Sequence, residues 1–162
     1  MPKIVLETHV KAPIELVFDL ARSIDLHQNS LKHTHEKAIA GRTTGLVEEG
    51  ETVTWEATHF GIKQQLTSLI TDVQPHHFFA DEMVSGAFKR FRHEHHFSSP
   101  EHGVTLMKDV FDYDSPLGIL GQLADFLFLK SYMTRLLEQR NEVLKQTAED
   151  GSWKELPGMP SS

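Results

Sequence analysis

The chain has 162 residues, of which 39% are hydrophobic, and it carries a formal net charge of −7 at pH 7. This length and apolar content suit one folded domain with its own core. Because the chain contains no cysteine, disulfides, thiolate metal sites and cysteine nucleophiles are excluded, and any metal would need histidine and carboxylate ligands. The negative charge would repel an extended polyanion, so nucleic acid is not expected as a partner.

The N-terminal segment MPKIVLETHV lacks the basic and apolar regions of a signal peptide, and no apolar stretch is long enough to span a membrane. We therefore expect a soluble, cytoplasmic protein. The local cations Lys89, Arg90 and Arg92 are interpreted as a solvated strand face rather than a binding patch. No cofactor is indicated, and the oligomeric state stays open.

The first predicted elements are a strand and two short helices. Residues 3–10 mix β-branched and alternating side chains, which predicts a strand. The following KAPIE sequence places Pro13 at the first position of a helix, a position that proline favours. Ser23 is then expected to cap a second short helix that ends near Leu31.

From about residue 34 to residue 114 the hydrophobic period changes to two, and glycine, proline and serine residues divide the segment. The short spacings favour antiparallel hairpins. Six strands are predicted, at about 34–41, 50–60, 62–73, 77–84, 88–98 and 103–114.

The C-terminal part is predicted to be one long helix over residues 119–146, followed by a poorly ordered tail over 148–162. The predicted domain therefore spans residues 1–147. An antiparallel sheet with one apolar face cannot stay open, and a single helix is too narrow to cover it flat. We expect an α+β fold in which a seven-stranded sheet curves round the helix and leaves a cavity between them.

The element order and three stretches resemble the START/polyketide-cyclase superfamily, also called SRPBCC or Bet v 1-like. The stretches are APIELVFDLARSIDLHQNS, GETVTWEATHFG and SPLGILGQLADFLFLKSYMTRLLEQRNEVLK. The resemblance covers about residues 3–147 and is greatest for a bacterial stand-alone subgroup of mostly uncharacterised proteins. It implies a helix-grip fold, as in the birch-pollen allergens, with a deep apolar pocket. Function is implied only broadly, because the superfamily includes lipid carriers, hormone receptors, quinone-binding proteins, aromatic cyclases and a chaperone activator.

Alternation along the strands predicts which side chains face the helix. FKRFRHEHHF, residues 88–97, holds three histidines, of which His93 and His95 share the inner face and His96 takes the other. Asp109 is placed on the inner face of the last strand, an assignment that a single bulge would reverse. The predicted ligand-binding residues on the strands are Trp55, His59, Phe91, His93, His95, Phe97, Met107, Asp109 and Phe111.

Three interpretations of the inner histidines stay open. His93 and His95 have the spacing of strand-borne metal ligands, which His59 or Asp109 could complete, but an HxH pattern alone is weak and no metal is predicted. Alternatively, His93 or His95 is a base oriented by Asp109, as an aromatic cyclase or dehydratase requires. In the favoured interpretation the imidazoles are neutral, unless Asp109 or Glu82 compensates. They either satisfy one another's hydrogen bonds or grip a polar head such as a quinone or carboxylic group.

Two further segments border the predicted pocket. In ADEM, Asp81 and Glu82 point to opposite faces, so only one of them is a pocket-edge candidate. The resemblance implies that the segment before the long helix and its first turns border the pocket entrance. The residues expected to line or gate it are Leu120, Leu123, Phe126 and Leu127.

The predicted function is binding of a small hydrophobic molecule, such as a lipid, isoprenoid quinone or aromatic polyketide, for carriage or sensing. The alternative is a cyclase/dehydratase enzyme, for which His93, His95 and Asp109 are the catalytic candidates. A third possibility is a protein-interaction module whose interior is filled.

Overall fold

The computed structural model describes residues 2–115, 123 and 128–160. A first strand, β1 (Lys3–Val10), is followed by α1 (Ile14–Ala21) and α2 (Ile24–Ser30). The chain continues through β2 (Lys37–Gly41), β3 (Thr52–His59), β4 (Ile62–Gln74), β5 (Phe78–Ser85), β6 (Arg90–Glu101), β7 (Val104–Asp114) and α3 (Lys130–Asp150). This element order agrees with the prediction. None of the helices in the described part of the chain is long and apolar enough to cross a membrane.

Local sequence signals set the starts of the two short helices. Ser23 Oγ accepts a hydrogen bond from the backbone N–H of Leu26 at 3.1 Å, which is the predicted N-cap of α2. Pro13 has extended backbone angles and precedes α1, so it is the cap residue rather than the first helical residue. Its ring still fixes the φ angle with which the chain enters the helix.

The strands form one antiparallel seven-stranded sheet in the order β1-β7-β6-β5-β4-β3-β2. Consecutive strands pair from β2 to β7, and β1 pairs with β7 at the far edge. Residues directly opposite one another in such a sheet point to the same face. The register therefore creates two neighbouring rows on the inner face, one formed by Asp109, His95 and Phe79 and the other by Phe111, His93 and Asp81.

The sheet curves round α3, as the predicted helix-grip fold requires. Register shifts interrupt the β2–β3, β4–β5 and β6–β7 pairings, and such bulges bend strands and increase their twist. The buried face of α3 is formed by Leu136, Leu137, Asn141, Leu144 and Ala148. The buried apolar side chains of the described residues form three clusters, two of which are bridged by Val73, and the curved sheet and the helix leave a space between them.

The C-terminal segment has local structure over the described residues, and the poorly ordered tail over 148–162 stays a prediction. The long helix α3 continues to Asp150, and Gly151 ends it with a φ of 82°. A 3₁₀ turn follows at Ser152–Glu155. The side chains of Trp153, Leu156 and Met159 pack against the cluster that contains Phe18. These apolar residues recur every three positions within a segment that also contains glycine and proline.

Candidate functional site

A cavity of about 320 Å³ lies between the inner face of the sheet and α3, and most of its lining side chains are aliphatic or aromatic. The prediction of an internal space between sheet and helix therefore agrees with the structure. Six of the strand residues predicted to bind a ligand line it: Trp55, His59, Phe91, His93, His95 and Phe111.

Three of the predicted strand residues point inward but do not line this cavity. Phe97 and Met107 lie opposite each other in the sheet and belong to the cluster that packs against α1, where Phe97 contacts the edge of the Phe18 ring. Asp109 has 0% of its surface exposed and is covered by the two histidines and α3. Alternation predicted the correct face for all three, but it could not show which part of that face the helices cover.

Of the four residues expected to line or gate the pocket entrance, only Leu123 lies within the described residues. Leu123 is 55% exposed and is not among the lining side chains. Leu120, Phe126 and Leu127 lie outside the described residues. The helical wall of the cavity is formed further along the chain, by Leu129, Tyr132, Met133, Leu136, Leu137 and Arg140.

Six buried or half-buried polar side chains lie together on one side of the cavity. We call them the inner cluster: Asp81, His93, His95, Asp109, Arg140 and Asn141. Asp109 is at its centre, and its Oδ1 accepts hydrogen bonds from His93 Nε2 at 2.9 Å and Arg140 Nη2 at 3.0 Å. Its Oδ2 accepts one from Asn141 Nδ2 at 2.7 Å. A buried carboxylate is thus held by donors from both the sheet and the helix.

His95 lies between the two carboxylates of the inner cluster. Its Nε2 is 3.2 Å from Asp81 Oδ1, and its Nδ1 is 3.2 Å from Asp109 Oδ1. The second contact has the distance of an ion pair but lacks the direction of a hydrogen bond. The imidazole ring stacks on Phe79, with ring centres 4.1 Å apart, and the His93 ring lies 3.9 Å away. A protonated His95 is therefore paired on both nitrogens.

The pKa values in the inner cluster follow from these contacts. Burial alone would raise the pKa of Asp109, but His93, His95 and Arg140 hold it well below its usual range. The pKa of Asp81 is also lowered against the effect of burial, mainly by His95. Burial opposes a charge on His95, yet Asp109 and Asp81 raise its pKa. For His93, burial and the neighbouring His95 lower the pKa to about 4.

The inner cluster places cations beside anions. Asp81 and Asp109 are the carboxylates, Arg140 supplies a guanidinium, and the contacts with both carboxylates favour the protonated form of His95. His93 is the neutral imidazole. Buried charges are tolerated when each is paired and hydrogen-bonded, which is the arrangement seen here.

Sequence reasoning named only part of this cluster. It proposed Asp109 or Glu82 as the compensating carboxylate, but Glu82 faces outward and pairs with Arg92 at 3.2 Å. Asp81 has the inner position, because the β5–β6 register places it directly opposite His93. Arg140 was missed, although it follows the buried Leu136 by four residues, a spacing that places both on one helical face.

A second polar group lies on the part of the cavity wall formed by β3, α2 and α3. His27 Nε2 is 2.7 Å from Glu36 Oε1, and the His27 ring stacks on Trp55. His59 Nδ1 is 2.7 Å from the hydroxyl of Tyr132. For Glu36, burial alone would raise the pKa, but the neighbouring His27 lowers it. For His59, burial lowers the pKa. His59 therefore belongs to a different group from His93 and His95.

The geometry also bears on the metal interpretation. Asp81, His93 and His95 each bring one potential ligand atom to within 4.8 Å of the others. This set contains His93 and His95 as the sequence suggested, but its third member is Asp81 rather than His59 or Asp109. Asp109 instead contacts both imidazoles, and Arg140 adds a cation beside it. The ion pairs with Asp109 and Arg140 thus account for the burial of these side chains without a metal.

The sequence match covers the helices, the sheet and the cavity. Residues 1–149 match the family described as polyketide cyclase/dehydrase and lipid transport. The chain belongs to this family. The predicted resemblance to the START/polyketide-cyclase superfamily is thereby confirmed, and so is the helix-grip fold. No curated protein matches the chain significantly in sequence.

Several solved structures are similar to this chain over most of its length. TTHA0849 from Thermus thermophilus has a TM-score of 0.74 and 21% identity, covering 93% of this chain and 99% of that one. A START superfamily protein from Mycobacterium smegmatis has a TM-score of 0.69 and 11% identity, with 91% and 97% covered. Ginseng major latex-like protein 151 from Panax ginseng has a TM-score of 0.66 and 15% identity, with 91% and 97% covered. At these identities the likeness shows the fold, and family and fold together are consistent with binding a hydrophobic ligand.

Proposed function

We propose that the protein binds one small, largely apolar molecule in the cavity, for carriage or sensing rather than conversion. The observation that carries this proposal is the cavity of about 320 Å³, with mostly apolar walls and the inner cluster on one side. Apolar pockets with a few convergent polar groups are the usual form of small-molecule sites. The apolar walls favour the body of the ligand, and the inner cluster orients its polar end.

The state of the histidines supports binding over catalysis. Both ring nitrogens of His95 face carboxylates, so neither is free to exchange a proton with a substrate. His93 has a pKa of about 4, which makes it a weak base at neutral pH. A general base works best when its pKa lies near the working pH.

Native mass spectrometry of freshly purified, untagged protein tests this proposal, together with titration of the apolar dye Nile red. We expect a co-purified organic mass that is lost on denaturation, or saturable dye binding at one site. Ala57→Phe places a phenyl ring in the cavity and should abolish both signals. Thr58→Phe introduces the same phenyl ring on the outward face of β3 and is the control for position. The proposal is wrong if the protein neither carries a mass nor binds dye, or if both variants bind normally.

A second candidate function is a cyclase/dehydratase enzyme, favoured by one observation. His93 lines the cavity, and Asp109 holds it through Nε2 in the manner of an oriented base. The dehydration of a β-hydroxy ketone, followed by ultraviolet absorbance, would test for such an activity. His93→Gln should then abolish turnover while Nile red binding persists. An unchanged rate in this variant would exclude His93 as the base.

A further inference from the structure

We infer that the bound molecule presents an uncharged hydroxyl group, as an alcohol or phenol, to the inner cluster, and that the cavity discriminates against the corresponding carboxylate. This inference rests on the proposed function and specifies the chemical class of its ligand. The hydroxyl group replaces the quinone or carboxylic head group that was expected from the histidine pattern in the sequence.

The charged groups of the inner cluster are already paired with one another. Arg140 is 3.0 Å from Asp109, and His95 is 3.2 Å from both Asp109 and Asp81. Each cation is therefore already committed to an anion. An added carboxylate would be a third negative charge among two cations, in a region where solvent screens little. An uncharged group adds no such imbalance.

Three side chains of the inner cluster keep hydrogen-bonding groups that a ligand can use. His93 donates to Asp109 through Nε2, so its other nitrogen, Nδ1, is left as an acceptor when the ring is neutral. Asp81 is 17% exposed, lines the cavity and offers only acceptor oxygens. Among the described residues the hydrogen bonds of Arg140 all run through Nη2, so its remaining N–H groups are donors. A hydroxyl group can donate to one of the first two and accept from the third, whereas a quinone oxygen can only accept.

The cavity walls beside the two histidines are aromatic. Phe79 stacks on His95, Phe111 meets the His93 ring edge-to-face, and Phe91 lies against Phe111, and all three phenyl rings line the cavity. Flat aromatic surfaces of this kind favour stacked or edge contacts with a flat ligand. Bicyclic aromatic probes are therefore suitable test molecules.

Isothermal titration at pH 7 with three naphthalenes that differ at one position tests the inference on the unmodified protein. The probes are 2-naphthol, 2-methoxynaphthalene and 2-naphthoate. We expect 2-naphthol to bind tightest, and 2-methoxynaphthalene to bind about tenfold more weakly because it lacks the donor. The charged 2-naphthoate should bind at least about tenfold more weakly than 2-naphthol. Equal or tighter binding of 2-naphthoate would overturn the inference, as would equal binding of the methoxy compound.

A charge-removing variant locates the origin of the discrimination. Asp81→Asn deletes one cavity-facing anion and should improve the affinity for 2-naphthoate relative to 2-naphthol about tenfold. Glu82→Gln makes the same change in net charge on the outer face, where Glu82 pairs with Arg92, and should leave the ratio unchanged. Equal effects of the two variants would refute the proposed role of the inner cluster.

The binding results for the naphthalenes and for Nile red distinguish a failure of the hydroxyl specificity from a failure of the proposed binding function. If all three naphthalenes bind without preference, the cavity is a binding site but the hydroxyl specificity is wrong. If none of them binds and Nile red does not bind either, both proposals fail.

Discussion

Replacing Asp109 by asparagine should destabilise the protein strongly, because this carboxylate holds two buried cations. The substitution keeps the size of the side chain and removes only its charge. Arg140 then loses the carboxylate that lies 3.0 Å away, and His95 loses one of its two anionic partners. The donors His93 and Asn141 also face an amide in place of a carboxylate.

The magnitude follows from the burial of these groups. Asp109 is 0% exposed and Arg140 is 14% exposed, so water cannot replace the lost partner fully. Removing one member of a buried ion pair typically costs about 3–5 kcal/mol of the free energy of unfolding. For a chain of this length such a loss lowers the melting temperature by on the order of 10 °C.

Urea unfolding followed by circular dichroism at pH 7 measures this free energy. Asp112→Asn is the matched control, since Asp112 lies on the same strand and pairs with Arg90 at 3.1 Å on the outer face. Asp112 is 31% exposed and Arg90 is 39% exposed, so their pairing should contribute less than about 1 kcal/mol. Similar losses for the two variants, or a loss below about 1 kcal/mol for Asp109→Asn, would refute the assignment of Asp109 as the centre of a buried charge network.

Three further predictions concern pH, a helix cap and the C-terminal segment. The pKa of His93 is lowered from 6.5 to about 4, so the unfolded chain takes up this proton first and stability should fall as pH drops between these values. At about 1.4 kcal/mol per pKa unit, protonation of His93 lowers the free energy of unfolding by about 3 kcal/mol. Urea unfolding of His93→Gln at several pH values should lack this loss. Ser23→Ala removes the N-cap of α2 and should lower the free energy of unfolding by about 1 kcal/mol, whereas no change would show that the cap is dispensable. Trp153→Ala should cost about 2 kcal/mol in the same assay if the segment after α3 packs against the core, and unchanged stability would contradict that packing.

Much of the fold follows from signals that are local in the sequence. The hydrophobic period of two between residues 34 and 114 predicts six strands there, and their antiparallel pairing is observed. The alternation in FKRFRHEHHF places His93 and His95 inward correctly, because no register shift falls within that part of β6. The face of Asp109 is correct for the same reason. Alternation is reliable where a strand continues without a bulge.

The composition of the inner cluster depends on contacts between distant parts of the chain. His93 and Asp109 are 16 residues apart, and Asn141 and Asp109 are 32 residues apart. Such pairs depend on the strand register and on the rotation of α3 over the sheet, which the hydrophobic period of one element does not fix. The inner position of Asp81 rather than Glu82 likewise follows from the β5–β6 register.

The two carboxylates of the inner cluster have separable roles. Asp109 contacts Arg140 and Asn141 of α3 and does not line the cavity, so its loss should weaken the attachment of the helix to the sheet. Asp81 lines the cavity and pairs with His95 within the sheet, so its loss should act mainly on the polar end of a bound molecule. Stability should therefore respond more to Asp109→Asn, and ligand selectivity more to Asp81→Asn. Changes of equal size in both properties for both variants would mean that the cluster acts as one indivisible unit.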